Sequence, residues 1–194
     1  MVDLSLHLLD LMQNSASAGA HKVWVLIRQD VEEDRLQISV TDDGRGMSEE
    51  ELRLVRDPFY TSARKSVGLG LPLIIQASEM AGGTVTIRST EGRGTEVSVL
   101  FRLSHVDRQP LGDPVSTIVS FMAGNPDVAV EFTYKGPGGE FCFDSDKIVP
   151  REERDAMGQI PFLSLVEDRL REGLALASYR PDGGGFIFEE HRRA

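Results

Sequence analysis

VGLGLPLIIQASEMAGG, residues 67–83, reads as a glycine-bearing loop that feeds a helix. Gly68 and Gly70 precede Pro72, and proline suits a first helical turn, where its missing N–H would find no intrahelical partner. LIIQASEMA then continues to a stop at Gly82 and Gly83, because glycine tolerates the left-handed exit of a helix. Downstream, TVTIRS (84–89), the turn TEGRG (90–94) and TEVSVLFRL (95–103) alternate apolar and polar residues about turn formers, which predicts a hairpin. Upstream, KVWVLIRQ (22–29) and LQISVTD (36–42) flank the acidic connection VEEDR (31–35) and predict another. Leu4, Leu8, Leu11, Met12 and Ser15 follow the spacing of an opening helix that fades at Gly19. Ser48 and Glu51 make a capping box before EEELRLVR, and that helix must end ahead of Pro58. The order helix, hairpin, helix, glycine loop, helix, hairpin has no strand-helix-strand repeats. A doubly wound parallel fold is thus disfavoured, and an α+β arrangement of one helix layer on one sheet is expected.

SHVDRQPLGDP, from residue 104, interrupts the pattern with two prolines and a glycine. A boundary is expected there, dividing residues 1–105 from a small α+β C-terminal domain over 106–194. In that domain Asp113 and Pro114 predict a cap and first turn for VSTIVSFMA. VAVEFTYKGPGGEFCFD predicts two strands about a Gly/Pro turn, and a helix is expected from Pro161 to Arg171. Cys142, between two phenylalanines, and Trp24 are expected in the core.

The 194 residues are 40% apolar and 27% charged, an ordinary globular composition. A lone cysteine excludes an internal disulfide and a cysteine-built zinc site. The net charge of −10 argues against a nonspecific grip on nucleic acid or on anionic membrane surfaces. No apolar run approaches the roughly 20 residues of a membrane span, and the start carries acid where a signal peptide carries base. A cytoplasmic protein is expected.

Asp10 and Asn14, four apart on the first helix, project from one face, with His7 three residues earlier. This spacing fits a solvated polar stripe; it equally fits a carboxylate that handles a proton beside an amide oxygen for a hard cation such as magnesium. Asp42, Gly44 and Gly46 end a strand, either as an ordinary tight turn or as a carboxylate facing a cleft with glycines that let a flat ligand approach. Gly68, Leu69 and Gly70 before a helix start are either a plain entry loop or an anion site for phosphate. Neither G-x-x-x-x-G-K-S/T nor the three-glycine dinucleotide motif occurs.

The ordered set of Asp10 to Asn14, DDGRGM, DPFYTS, VGLGLP and EGRGTEV resembles the GHKL superfamily: sensor histidine kinases, type II topoisomerases, mismatch-repair MutL proteins and ninety-kilodalton heat-shock chaperones. It covers about residues 1–105. The resemblance implies the Bergerat fold, a two-layer α/β sandwich with a mixed, largely antiparallel sheet, and it implies ATP with Mg2+ as cofactors. By similarity Asn14 binds the metal and Asp10 is the candidate base. Asp42 accepts from the adenine amino group, Gly46 gives the ring room, and Thr95 supports the contact, with Gly44 also at the nucleotide. Gly68, Leu69 and Gly70 cradle phosphates, and Arg64 or Lys65 meets the terminal one. The tail from SHVDRQPLGDP is similar to that of stand-alone kinase-like ATPases.

Sensor kinases carry their phosphoacceptor histidine on an upstream helical hairpin, and nine residues precede Asp10 here. His7 therefore reads as structural or supporting, and phosphoryl transfer would go to a protein partner in trans. Two functions follow from the resemblance. One is an Mg-dependent ATPase or kinase; the other is a nucleotide-sensing module that regulates a partner without turnover. Aspartate at position 10, where glutamate is more usual, and Asp43 in place of asparagine favour the second.

Overall fold

A computed structural model describes residues 3–55 and 70–179. Within them the chain runs α1 (Leu4–Ser17), β1 (Lys22–Asp30), β2 (Arg35–Asp42), α2 (Glu49–Val55), α3 (Gly70–Met80), β3 (Thr84–Thr90) and β4 (Gly94–Arg102). It continues as α4 (Pro114–Gly124), β5 (Ala129–Gly136), β6 (Gly139–Asp144), α5 (Ser145–Ile148), α6 (Arg151–Met157) and α7 (Gln159–Leu176). One six-stranded sheet has the order β3-β4-β2-β1-β5-β6. Every neighbouring pair is antiparallel except β1 with β5, which run parallel in register Val23 to Val130 and Val25 to Phe132.

Period-two alternation decides which face is covered. Val23, Val25 and Ile27 of β1, Leu36, Ile38 and Val40 of β2, and Val97, Val99 and Phe101 of β4 are buried together with Leu4, Leu8, Leu11 and Met12 of α1. Each such side chain removed from water contributes about 1.5–3 kcal/mol, so the shared apolar face holds the layers together. Local signals start the helices. Asp3 caps α1 by accepting from Leu6 N, and Asp113 caps α4 by accepting from Val115 N (3.0 Å) and Ser116 N (3.2 Å), with Pro114 next to it. Ser48 and Glu51 form the reciprocal capping box: Glu51 N donates to Ser48 Oγ (3.2 Å) and Ser48 N to Glu51 Oε2 (2.9 Å).

Residues after 105 do not fold apart from those before, contrary to the boundary expected there. β5 completes the sheet beside β1, and Ile118, Phe121, Phe132, Val166 and Leu170 belong to the same core as α1. The proline-rich connection is a strap along that core: Leu4 N donates to Pro110 O (2.9 Å), and Arg171 of α7 reaches Asp113 Oδ2 (3.4 Å). The last helix is longer than expected, and α5 and α6 precede it.

Cys142 and Trp24 are corrected as well. Period two puts Cys142 on the opposite side of β6 from both flanking phenylalanines, and it is exposed. Trp24 falls out of phase with Val23 and Val25 and is half-buried on the open face, with the Lys22 ammonium 5.4 Å from its ring centroid. A buried polar pair sits inside instead. Tyr134 Oη donates to Gln29 Oε1 (2.6 Å), and burial pushes the phenol up to about 12. No helix among the described residues is long and apolar enough to cross a membrane.

Candidate functional site

α1, the end of β2, α2 and the start of β4 enclose a cleft with an empty volume of about 970 Å3, its open mouth included. Its walls are apolar: Leu11 from α1 and Ala18 just past its end, Val40 and Val97 from the sheet, Met47, Leu54 and Val55 from the α2 side, and Leu71 from α3. Polar groups are few and localised, which is how small-molecule sites combine affinity with orientation.

Asp42 lies within the cleft at 7% exposure. β2 carries it to the end of the ladder, opposite Thr95 of β4. Oδ1 accepts from Gly44 N (2.9 Å) and Thr95 N (3.2 Å), and Oδ2 accepts from Ser15 Oγ (2.9 Å). A carboxylate offers about four lone-pair sites, two per oxygen. Oδ1 is therefore saturated by backbone donors, while Oδ2 keeps capacity for one more donor. Asn14, next to Ser15 on α1, also lines the cleft, and its Nδ2 is buried without a hydrogen-bond partner among the described residues.

The loop after β2 is shaped by backbone crowding. Gly46 has φ +64°, and a Cβ there would stand 2.0 Å from Thr90 O, so only glycine fits. The absent side chain thus admits the neighbouring hairpin. Asp43 turns away from the cleft, its Oδ1 accepting from His21 N (2.7 Å) and Lys22 N (2.9 Å). Its charge is spent on the start of β1. Arg45 forms part of the mouth, with Nη1 3.4 Å from Glu51 Oε1. The Ser48 N–H chiefly holds the Glu51 carboxyl below its ordinary range; partial burial opposes this, and Arg45 adds to it.

Asn14, Asp42, Gly46 and Thr95 all line the cleft, and Gly44 serves it through the N–H given to Asp42. Thr95 Oγ1 pairs with Ser89 Oγ (2.8 Å), which also receives Met47 N (2.8 Å). The side chain of Thr95 is thus committed to a knot that sequence reasoning missed. Asp10 and Gly70 do not line the cleft but meet each other next to its residues Leu11 and Leu71, where a Cβ on Gly70 would come 2.7 Å from Asp10 Cβ. His7 does not join them: buried at 5% exposure, its Nε2 lies 3.2 Å from Gln109 Oε1 of the strap. Lys65, Gly68 and Leu69, with DPFYTS, Arg64 and Ser66, lie outside the described residues. Ser15, Arg45, Met47, Glu51 and Leu71 escaped the sequence reading, and the capping box was the one local signal among them.

Residues 2–105, more than half of the chain, match the family model of histidine kinase-, DNA gyrase B-, and HSP90-like ATPases. The chain belongs to this ATPase family. Among curated members it is 33% identical over 90 residues to Sensor protein DegM of Bacillus sp. strain B21-2, covering 46% of this chain and 24% of that one. It is 30% identical over 106 residues to Sensor histidine kinase ZraS of Escherichia coli O157:H7, covering 54% and 23%. The chain thus spans about a quarter of the length of these relatives. Among solved structures, the Aquifex aeolicus MutL ATPase domain complexed with ADP aligns at a TM-score of 0.41 and 22% identity, covering 70% of this chain and 60% of that one.

Proposed function

We propose that this ATPase-family chain binds ATP with Mg2+ in the cleft and either hydrolyses it slowly or passes its phosphoryl group to a separate protein in a regulatory role. The observation that carries this is Asp42, a buried carboxylate with one acceptor site left, set among apolar walls that suit a purine. The adenine amino group supplies the missing donor, and Val40, Val97 and Leu11 flank the ring. Among the described residues no cluster of three or more His, Cys, Asp or Glu could cage a metal. Magnesium takes few protein oxygens and completes its shell with water and phosphate. The Asn14 side chain, which lines the cleft, would hold it through its amide oxygen. Bound there, magnesium would neutralise charge developing on the phosphates.

Phosphoryl transfer asks little covalent chemistry of a protein, so positioning dominates. Asp10, one helical turn before Asn14, would accept the proton of the attacking hydroxyl or water. Gly70, with Gly68 and Leu69, would offer backbone N–H groups to the phosphates, and Lys65 would meet the terminal one. A second function, regulation of a partner by bound nucleotide without turnover, is favoured by Asp10 itself: its short side chain packs against Gly70 at the start of α3.

Calorimetry of the full chain with MgATP, beside phosphate release compared with Asp10→Asn, separates them. Binding with release above that variant supports turnover. Binding with equal release leaves the sensor, and no binding refutes both.

A further inference from the structure

Arg45 has no part in the scheme above, yet it lines the cleft. Its backbone is fastened on both sides: Arg45 N donates to Ala18 O (2.9 Å), and Arg45 O accepts from Gly92 N (2.7 Å). The side chain, 57% exposed, leans to Glu51 at 3.4 Å, and Glu51 is held in place by its capping box with Ser48. Exposed pairs of this kind are worth about 1 kcal/mol or less, so the guanidinium can exchange partners at little cost.

Two observations say what it would exchange for. Among the described lining residues none is aromatic, and Arg45 is the one cation. It also sits at the base end of the cleft. Ala18, which holds its N–H, follows Ser15, the donor to Asp42, by less than one turn, whereas Asp10 lies eight residues back along α1, about 12 Å at 1.5 Å per residue. The start of α3 is at the Asp10 end. A guanidinium is planar and stacks on aromatic faces as well as pairing with anions.

We propose that Arg45 is a base-stacking residue, its guanidinium closing over the outer face of the purine while Glu51 parks it at the mouth of the empty cleft. This rests on the nucleotide reading of the cleft. Asp42 reads the edge of the ring, and Arg45 covers its face.

The test titrates adenosine and MgATP separately into the full chain and into Arg45→Ala, Arg45→Lys and Asp42→Ala, with thermal unfolding as a check that each folds. Arg45→Ala weakens adenosine and MgATP by the same factor, about 2- to 5-fold, as a cation–π contact at a solvent-exposed mouth implies. Arg45→Lys, which keeps the charge without the plane, does not restore wild-type affinity. Loss confined to MgATP would make Arg45 a phosphate contact and overturn the proposal, as would unchanged affinity for both. If wild type binds neither ligand, or binds both as Asp42→Ala does, the nucleotide assignment itself falls, a result distinct from failure at Arg45 alone.

Discussion

With adenine held at Asp42 as proposed, Asp42→Asn changes which base the cleft accepts. Two backbone N–H groups, from Gly44 and Thr95, point at Oδ1. The amide oxygen must occupy that place, because the NH2 group there would confront two donors. The NH2 group then takes the place of Oδ2, where Ser15 Oγ can turn to accept from it while donating to Leu11 O, 3.3 Å away. The fold keeps its hydrogen bonds and loses only their charge assistance, about 1 kcal/mol. For a chain of this size that lowers the melting temperature by roughly 2–4 °C. The ligand side is reversed, since an N–H now meets the adenine amino group. Losing a charge-assisted bond and facing two donors costs about 1.5–3 kcal/mol, or about 10- to 150-fold in MgATP affinity. Hypoxanthine carries a carbonyl at that position, so MgITP gains what MgATP loses. Calorimetric titration of both nucleotides into both proteins measures the ratio. An unchanged ATP-to-ITP preference in a folded Asp42→Asn protein would refute the placement of the base edge at Oδ2.

Gly46→Ala forces a left-handed backbone on alanine and a Cβ onto Thr90 O; about 1–2 kcal/mol of conformational cost and about 1–3 kcal/mol of overpacking give a loss of about 2–5 kcal/mol, read as a urea midpoint shift. On acidification, Asp34 and Asp113 have depressed carboxyl values. Asp34 is held down by the Arg102 side chain and by Ser104 against some desolvation, and Asp113 by Ser116, Arg171 and Val115 N against a larger one. Depressed folded values mean stability that is complete above the ordinary 3.8 and lost as pH falls through the folded value. The urea midpoint therefore stays level from neutrality to about pH 5 and falls below about pH 4. Asp113→Asn keeps an equally good cap and should blunt the acid fall; an identical pH profile would show that the Asp113 charge contributes nothing.

Features written in neighbouring residues were legible. The capping box of Ser48 and Glu51, the Asp113 cap with Pro114, both early hairpins and the pair about Gly136–Gly139 all follow from local chemistry. The parallel union of β1 with β5 was not, because the pairing is chosen by the burial of Val130, Phe132 and Tyr134 against a core built by distant segments. Alternation identified β6 as a strand; attention to its phase would have put Cys142 outside. Of the residues that line the cleft, Asn14, Asp42, Gly46 and Thr95 stand in the ordered set of motifs that the sequence offers. Ser15, Arg45 and Met47 were not singled out, since their places depend on contacts between distant segments: Ser15 on its hydrogen bond to Asp42, Arg45 on Ala18 and Gly92, and Met47 on Ser89. The orientation of Asp43 was equally hidden: nothing in DDGRGM says that one carboxylate faces inward and the next serves the opposite strand.

Because β5 lies directly beside β1, the stretch that carries the family signature is not an excisable cassette. Cutting after residue 105 would strip β1 of its neighbour and leave Val23, Val25 and Ile27 beside a raw, extended border of unpaired amides, the kind that recruits other chains into aggregates. Any attempt to graft this nucleotide module onto another scaffold should carry the chain through at least α7, or replace β5 with a strand of equivalent apolar phase.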